Sequence, residues 1–292
     1  MPQPACQDGT VPRRRTVLVA AALGGLGLAT VAAVRESDDP GRDQPADSTE
    51  DQLPQIIEYG DHPAQHVEHW PASGPSKGVV VVIHGGFWKA AYELDLGRPV
   101  AASLAENGWT AWNIEYRRVG DGGGLPETFD DVAAAIDLLA EVAGLDTSTV
   151  VTLGHSAGGH LAAWAAARGR FAGWPERVPV THVISQAGVL DLAAAHRDNL
   201  GGGAVQALLG EPPGAVYDEV DPTRQLPLEV PVRCVHATGD DIVPLSQSRE
   251  YVDRAQAAGA TVELVEVEGD HFVVIDPGSD AWRRTLEILD SL

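Results

Sequence analysis

The chain of 292 residues is long enough for one large α/β domain or two small ones, and its 44% apolar content excludes a wholly disordered protein. Its 42 acidic and 20 basic residues give a formal net charge of −22. A surface this acidic repels phosphate groups, so the composition argues against nucleic acid and anionic lipid surfaces as partners.

The N-terminus has the order of an export signal. A cationic cluster, Arg13-Arg14-Arg15, precedes an uncharged segment rich in Ala and Gly at 16–34, with small residues for cleavage after Ala33. The pattern Arg14-Arg15-x-Val17-Leu18 resembles a twin-arginine signal. We therefore predict a cleaved signal peptide at 1–33 and an exported protein. The alternative is an uncleaved segment 16–34 that anchors the protein in the membrane.

A spacer and a folded domain are expected after the signal. Residues 34–54 are acidic and contain little apolar sequence, which predicts a disordered linker. The folded domain is then expected over 55–292. Cys6 precedes the apolar segment 16–34 and Cys234 lies in a predicted core strand, so the two should end on opposite sides of a membrane or on separate molecules, and we predict no internal disulfide.

Strands and helices alternate along the predicted domain. Short antiparallel strands are expected over 56–60 and 65–70, and the Val/Ile run at 78–83 predicts a strand buried on both faces. The remaining strands are expected over 110–117, 149–152, 181–187, 230–238 and 261–268, and helices over about 94–107, from Pro126, over 161–167, 246–258 and 280–292. This alternation predicts a mostly parallel sheet with helices on both faces. The irregular section 190–229 is interpreted as a small cap over a pocket.

The motif Gly154-His155-Ser156-Ala157-Gly158 lies where a buried strand meets a helix. This is the spacing of a nucleophile elbow, in which the serine stands on a sharp, strained turn and the glycines leave room for close packing. Such a serine needs a base, which a carboxylate orients. We therefore interpret Ser156 as a nucleophile.

An acid and a base follow Ser156 in the order that this motif requires. The strand at 230–238 ends in Gly239-Asp240-Asp241, and the last strand is followed by His271. Both loops lie at the carboxyl ends of strands, where functional groups collect in open α/β sheets. Ser156, Asp240 and His271 form the predicted triad, and Asp241 is the less favoured alternative for the acid.

The loop after the first parallel strand, His84-Gly85-Gly86-Phe87-Trp88, is placed to stabilise an oxyanion. We predict that the N–H groups of Gly86, Phe87 and Ala157 are the donors. Trp88 is interpreted as a wall of the substrate pocket, with core packing as the alternative.

Other polar residues have less specific interpretations. His62, His66 and His69 are not expected to form a metal site, because residues 66 and 69 of a strand point to opposite faces. His155 and His160 are expected to pack near the elbow and His236 to be a hydrogen-bonded core histidine. Arg117 is interpreted as one partner of a structural ion pair.

Residues 55–292 resemble the α/β-hydrolase superfamily, within the esterase/lipase branch that includes hormone-sensitive-lipase-like esterases, feruloyl-esterase-like proteins and kynurenine formamidases. The resemblance is carried by Tyr59-Gly60, Pro63, Gln65, Trp70-Pro71, 84–88, Glu115-Tyr116-Arg117, 154–160, Asp240 with Val243-Pro244, and His271-Phe272. The form HGGxW at 84–88 is typical of the formamidases, which are usually intracellular, whereas this chain carries an export signal.

The residues and the resemblance together predict an exported serine hydrolase that cleaves carboxylic esters through an acyl-enzyme. Such an enzyme needs no metal or organic cofactor, and its partner is a small-molecule ester or amide. Three alternatives remain: an arylformamidase, a peptidase of the prolyl-oligopeptidase type and a non-catalytic binding module on the same scaffold. No propeller-sized N-terminal domain supports the peptidase, and binding modules of this kind typically lack a triad member.

Overall fold

The computed structural model describes residues 53–292, so the predicted signal peptide and nearly all of the predicted linker lie outside the described residues. An eight-stranded sheet runs through this part of the chain in the order β1-β2-β4-β3-β5-β6-β7-β8. Strand β2 pairs antiparallel with β1 and β4, and every other pair is parallel. The mostly parallel sheet that the sequence predicts is therefore confirmed.

The elements follow the predicted alternation of strand and helix. The strands are β1 (Gln55–Glu58), β2 (His66–Trp70), β3 (Val79–Ile83), β4 (Thr110–Ile114), β5 (Val150–His155), β6 (His182–Gln186), β7 (Val232–Ala237) and β8 (Val262–Val267). The helices are α1 (Arg98–Glu106), α2 (Glu127–Asp137), α3 (Ala157–Ala165), α4 (Leu192–Arg197), α5 (Ala204–Leu209), α6 (Tyr217–Val220), α7 (Ser246–Ala257) and α8 (Asp280–Asp290).

The sheet separates two apolar cores, because successive side chains of a strand point to opposite faces. In β3, Val79, Val81 and Ile83 belong to one core, and Val80 and Val82 belong to the other. Helices α2, α3 and α7 contribute to the first core and helices α1 and α8 to the second. The uninterrupted Val/Ile run of β3 is thus buried on both faces, as predicted.

Two predicted elements have different bounds. The helix expected over 94–107 is divided into a 3-10 turn at Leu94–Gly97 and helix α1, with Pro99 in the first turn of α1, where no backbone donor is lost. The strand expected over 110–117 ends at Ile114. The backbone N–H of Tyr116 donates to the side-chain carboxylate of the preceding residue, Glu115 (2.8 Å), instead of to a neighbouring strand.

The section 190–229 is more regular than the sequence indicates. It contains α4, α5, α6 and a 3-10 helix at Pro222–Gln225, and it buries Val205, Tyr217 and Val220 in the first core. Its role as a cap over a pocket stays a prediction. Within residues 53–292, no helix has both the length and the apolar character that crossing a membrane requires.

Helix α3 carries a buried histidine into the first core. The ring of His160 lies edge-on to Trp88 and Phe129, with centroids 5.3 Å and 5.8 Å away, and its Nε2 donates to the Val220 carbonyl (2.9 Å). Burial lowers the pKa of His160 from 6.5 to about 4, with the Val220 hydrogen bond opposing the shift. This ring is therefore neutral in the folded protein at neutral pH.

We expect acid to destabilise the fold through His160. As pH falls below 6.5, the unfolded chain binds a proton at this position that the folded protein does not bind until about pH 4. The free energy of unfolding should therefore drop by about 3 kcal/mol from this group between pH 7 and pH 4. Urea unfolding at the two pH values measures the drop.

A variant separates this contribution from those of other groups. In His160→Gln the drop between pH 7 and pH 4 should be smaller than in the wild type by about 3 kcal/mol. In His66→Gln, where the ring is half-buried and bonded to the Pro63 carbonyl, the wild-type drop should persist. Equal drops in the His160→Gln variant and the wild type would contradict the assignment.

Candidate active site

Ser156 stands at the turn between β5 and α3. Its backbone has φ 57° and ψ −117°, a sparsely populated region for a residue with a side chain. A Cβ at Gly154 would overlap the Gly158 carbonyl oxygen, and a Cβ at Gly158 would overlap that of Ile83. The glycines thus allow α3 to pack directly against β5 and the end of β3, which is the geometry expected of a nucleophile elbow.

The structure brings Asp240 and His271 together. Asp240 Oδ2 accepts a hydrogen bond from His271 Nδ1 at 2.6 Å, and Asp240 Oδ1 accepts the N–H groups of Ile242 (2.9 Å) and Val243 (2.8 Å). The Asp240 side chain is buried, whereas Asp241 is exposed. Asp240, and not its neighbour, therefore orients the ring of His271.

The loops that carry these two residues are joined by their backbones. The Gly239 N–H donates to the Gly269 carbonyl (3.0 Å), and a Cβ at Gly239 would lie 2.7 Å from that oxygen. This bond extends the pairing of β7 with β8, in which Ala237 is opposite Val267. The distance between the acid and the base is thus set by the register of the two strands.

The carboxyl group of Asp240 is ionised despite its burial. Burial alone would raise its pKa, but hydrogen bonds from the rings of His236 and His271 and from the Val243 N–H outweigh this effect. The pKa is held well below its ordinary value. A carboxylate that remains charged can stabilise a proton on the ring of His271.

His155 ties the loop of His271 to the elbow. Its Nε2 donates to the His271 carbonyl oxygen (2.9 Å), and the two rings lie 4.5 Å apart at 47°. Burial, together with the charge of His271, lowers the pKa of His155 to about 3, so the ring is neutral. In the described part of the chain, no hydrogen bond joins the Ser156 hydroxyl to the His271 ring, so the contact between these two predicted triad members stays a prediction.

The loop at 84–88 packs against the elbow. A Cβ at Gly85 would lie 3.0 Å from Ser156 Cβ, and φ is positive at Gly86 (111°), Phe87 (53°) and Trp88 (56°). Within residues 53–292, the N–H groups of Gly86, Phe87 and Ala157 donate to no protein acceptor. These three donors therefore remain available to a ligand beside Ser156.

A buried polar network that sequence analysis missed holds this loop. His84 Nε2 lies 3.0 Å from Glu115 Oε1, the ring stacks on Tyr116 at 4.4 Å, and the Tyr116 hydroxyl donates to the His84 carbonyl (2.9 Å). Burial raises the pKa of Glu115, but the hydrogen bond and charge of His84 and the charge of Arg118 lower it overall. The only sequence signal for this network is the Glu-Tyr-Arg motif at 115–117.

Two predicted roles are settled by the contacts of the side chains. Arg117 forms the expected ion pair, with both oxygens of Asp131 at 2.8 Å. Trp88, however, does not line a pocket: its side chain is 1% exposed and packs in the first core against His160. This burial supports core packing, the alternative interpretation of Trp88.

The oxyanion loop also contacts the predicted cap. Lys89 Nζ donates to the Gly201 carbonyl (2.7 Å) and lies 5.6 Å from the centre of the Phe87 ring. A Cβ at Gly201 would lie 2.5 Å from the Phe87 ring, so the loop at 199–203 packs closely on this side chain. The section 190–229 therefore contacts the loop at 84–88 through Gly201.

The described residues contain few candidates for a metal site or a reactive thiol. No group of three His, Cys, Asp or Glu side chains within 53–292 could hold a metal ion. His66 bonds to the Pro63 carbonyl and His69 packs on Trp112, which are unrelated roles. Cys234 is a buried free thiol whose pKa burial raises to about 12, and Cys6 lies outside the described residues.

Several solved esterases share this fold. Esterase B from Lactobacillus rhamnosis has a TM-score of 0.71 at 21% identity, covering 81% of this chain and 83% of its own. Esterase 2 of Thermogutta terrifontis, with butyrate bound, has a TM-score of 0.67 at 22% identity, covering 83% of this chain and 94% of its own. A carbohydrate esterase from gut microbiota has a TM-score of 0.68 at 18% identity, covering 83% of this chain and 97% of its own. These similarities establish the α/β-hydrolase fold.

Sequence comparison gives the family. Esterase LipC of Mycobacterium tuberculosis is 28% identical over 232 residues, which are 72% of this chain. The chain spans 57% of the length of that relative. The sequence profile of the BD-FAE family matches residues 69–254, more than half of the chain. The elbow and the oxyanion loop both lie inside the matched region, and the chain belongs to the BD-FAE family of α/β-hydrolases.

Proposed function

We propose that the protein is an exported serine hydrolase that cleaves carboxylic esters through an acyl-enzyme intermediate. The observation that carries this proposal is the 2.6 Å hydrogen bond between Asp240 and His271. The hydrogen bond between His155 and the His271 carbonyl joins the loop of His271 to the Ser156 elbow. In the proposed scheme the Ser156 hydroxyl meets the oriented ring of His271, which is the arrangement that nucleophilic catalysis requires.

The proposed reaction begins with attack of Ser156 Oγ on the ester carbonyl carbon. The hydroxyl proton passes to His271 Nε2, while the carbonyl electron pair moves onto oxygen and forms a tetrahedral intermediate. The intermediate collapses, the bond to the alcohol breaks, and His271 returns the proton to the leaving oxygen. Water then repeats these steps on the acyl-enzyme and releases the carboxylic acid. Asp240 holds the Nδ1–H tautomer throughout.

The proposed oxyanion site uses three N–H groups that donate to no protein acceptor within residues 53–292. In the proposed scheme the N–H groups of Gly86, Phe87 and Ala157 donate to the oxyanion, with the positive end of α3 behind them. Each step uses groups of this chain, so the scheme requires no cofactor. The substrate is a small-molecule ester.

The names of the relatives agree with this chemistry. LipC is named an esterase, esterase B was solved with a tributyrin phosphonate, and the Thermogutta enzyme was solved phosphonylated by sarin. Phosphonates of this kind mimic the tetrahedral intermediate of ester cleavage. The relatives thus support the class of reaction, while the acyl and alcohol groups of this chain's substrate are not specified by them.

We expect a fluorophosphonate probe to label Ser156 in the folded wild-type protein. Ser156→Ala should abolish labelling and lower kcat/KM for p-nitrophenyl esters by about 10³-fold or more, and Asp240→Asn should lower it by about 10²- to 10⁴-fold. Mass spectrometry of the labelled peptide and steady-state kinetics are the measurements.

A neighbouring carboxylate provides the matched control. Asp241 is exposed and one residue away, so Asp241→Asn should keep kcat/KM within about twofold of wild type. Wild-type protein that is folded but resists the probe would remove the basis of the proposal. Equal losses in Asp240→Asn and Asp241→Asn would remove the assignment of the acid.

Arylformamide cleavage is the second candidate, because the oxyanion loop has the HGGFW form at 84–88. We expect p-nitrophenyl esters to be hydrolysed with a higher kcat/KM than N-formylkynurenine, since an ester has the better leaving group. Side-by-side assays of a p-nitrophenyl ester series and N-formylkynurenine measure the preference. A formamide preference of tenfold or more would make the arylformamidase the correct assignment.

We also propose export by the twin-arginine route, on the strength of residues 12–34 alone. Replacing Arg14 and Arg15 by Lys in the full chain should leave the protein inside the producing cell. N-terminal sequencing of exported wild-type protein should begin at Val34. Intact 16–34 in membrane-bound protein would instead establish the anchor, and export of the double variant would exclude this route.

A further inference from the structure

His236 lies on β7, directly behind the acid of the proposed triad. Its ring is fully buried, Nδ1 is 2.7 Å from the Ser248 hydroxyl of α7, and Nε2 is 3.0 Å from the Val243 carbonyl. The same Nε2 is 3.2 Å from Asp240 Oδ2, the oxygen that also binds His271. The sequence interpretation of a hydrogen-bonded core histidine holds, and the contact with Asp240 is an addition to it.

The neighbours of the ring determine its tautomer. Nε2 faces two acceptors, a carbonyl and a carboxylate, so it must carry a proton. On the other side, the Ser248 hydroxyl has no other hydrogen-bond partner among residues 53–292 and can donate to Nδ1. Donation from Nε2 and acceptance at Nδ1 therefore satisfy every group in contact with the ring.

We infer that His236 is a positioning residue for Asp240. Its Nε2–H holds the loop at 240–243 against β7 and donates to Oδ2, the oxygen that also binds His271. The inference rests on the proposed function. The bond to Val243 fixes the end of the turn whose N–H groups bind Oδ1, which sets the rotamer of the carboxylate. The N–H beside Oδ2 offsets part of the negative charge that would otherwise act on His271 alone.

The other ionisable groups near this pair come from strands β5 and β8 and from helix α7. His155, at the end of β5, is a neutral ring in contact with His271. Glu266 of β8 is opposite His236 in the sheet, but Arg249 of α7 binds both of its oxygens at 2.7 Å and 2.8 Å. His236 is thus the second side-chain donor, besides His271, that can modulate the charge of Asp240.

Two substitutions separate the contacts of the ring atom Nε2 from those of Nδ1. His236→Gln places an amide near the Nε2 position and retains a donor for Val243 and Asp240. His236→Asn reaches only the Nδ1 position, so it keeps a partner for Ser248 and loses the donor to Oδ2. Both variants are polar, and both remove the same ring from the core.

We expect the two variants to differ in the acid limb of the kcat/KM–pH profile. In His236→Asn the uncompensated carboxylate favours protonated His271, so the limb should move to higher pH by about 0.5 unit or more. In His236→Gln the limb should stay within about 0.2 unit of wild type. A limb that is unmoved or moves to lower pH in His236→Asn, or moves equally in both variants, overturns the inference.

A measurement on the wild-type protein does not depend on how the variants fold. In ¹⁵N-labelled protein, the ring signals of His236, identified by their absence from the His236→Gln spectrum, should show protonated Nε2 and unprotonated Nδ1 at pH 7. The opposite tautomer overturns the inference. Wild-type protein that neither hydrolyses esters nor reacts with the probe overturns the proposed function itself, whereas an active wild type with an unmoved limb overturns only the role of His236.

Discussion

The structure around the candidate site depends on the contact between the β5–α3 turn and the end of β3. Gly158 packs on the carbonyl of Ile83, where a Cβ would lie 2.0 Å from the oxygen, and a Cβ at Gly85 would lie 3.0 Å from Ser156 Cβ. Because the backbones touch, the oxyanion loop and the serine occupy fixed positions relative to each other. A side chain at either glycine would separate the N–H donors from the hydroxyl, so this packing comes before any chemistry at the site.

Strain at Ser156 is maintained by the sheet around it. The serine has a positive φ that costs free energy, and the surrounding strands compensate for that cost by holding both ends of the turn. Its N–H donates to the Gln186 carbonyl at the end of β6, and β5 is paired on both sides along its length. A central strand buried on both faces is the most rigid support that an α/β fold offers for such a turn.

The sequence predicted the parts of the site that have local signals. Gly154, Ser156 and Gly158 are adjacent, and the chain order of the fold led from them to Asp240 and His271. The support of the oxyanion loop could not be predicted in the same way, because His84 and Glu115 are 31 residues apart and meet only after β3 and β4 pair. A contact between residues this far apart leaves no periodic pattern in the sequence.

Two further differences have local physical reasons. Trp88 lies two residues after a glycine pair, and the sequence does not show that its backbone has a positive φ or that its ring is buried in the core. Helices α4 and α6 have six and four residues, which is too short for a 3.6-residue pattern to become visible. Their stability comes from packing on the first core, and not from helix propensity.

Burial of an acid is the remaining problem that the fold has to solve. Removal of Asp240 from water favours its neutral form, which could not stabilise a protonated ring on His271. The turn at 240–243 supplies two N–H donors and β7 supplies the His236 ring, so the residues that build the loop also keep the carboxylate charged. Since Gly239 bonds to Gly269, the same strand pair that carries the acid fixes the position of the base. Charge and geometry at this site thus have one structural origin, the register of β7 and β8.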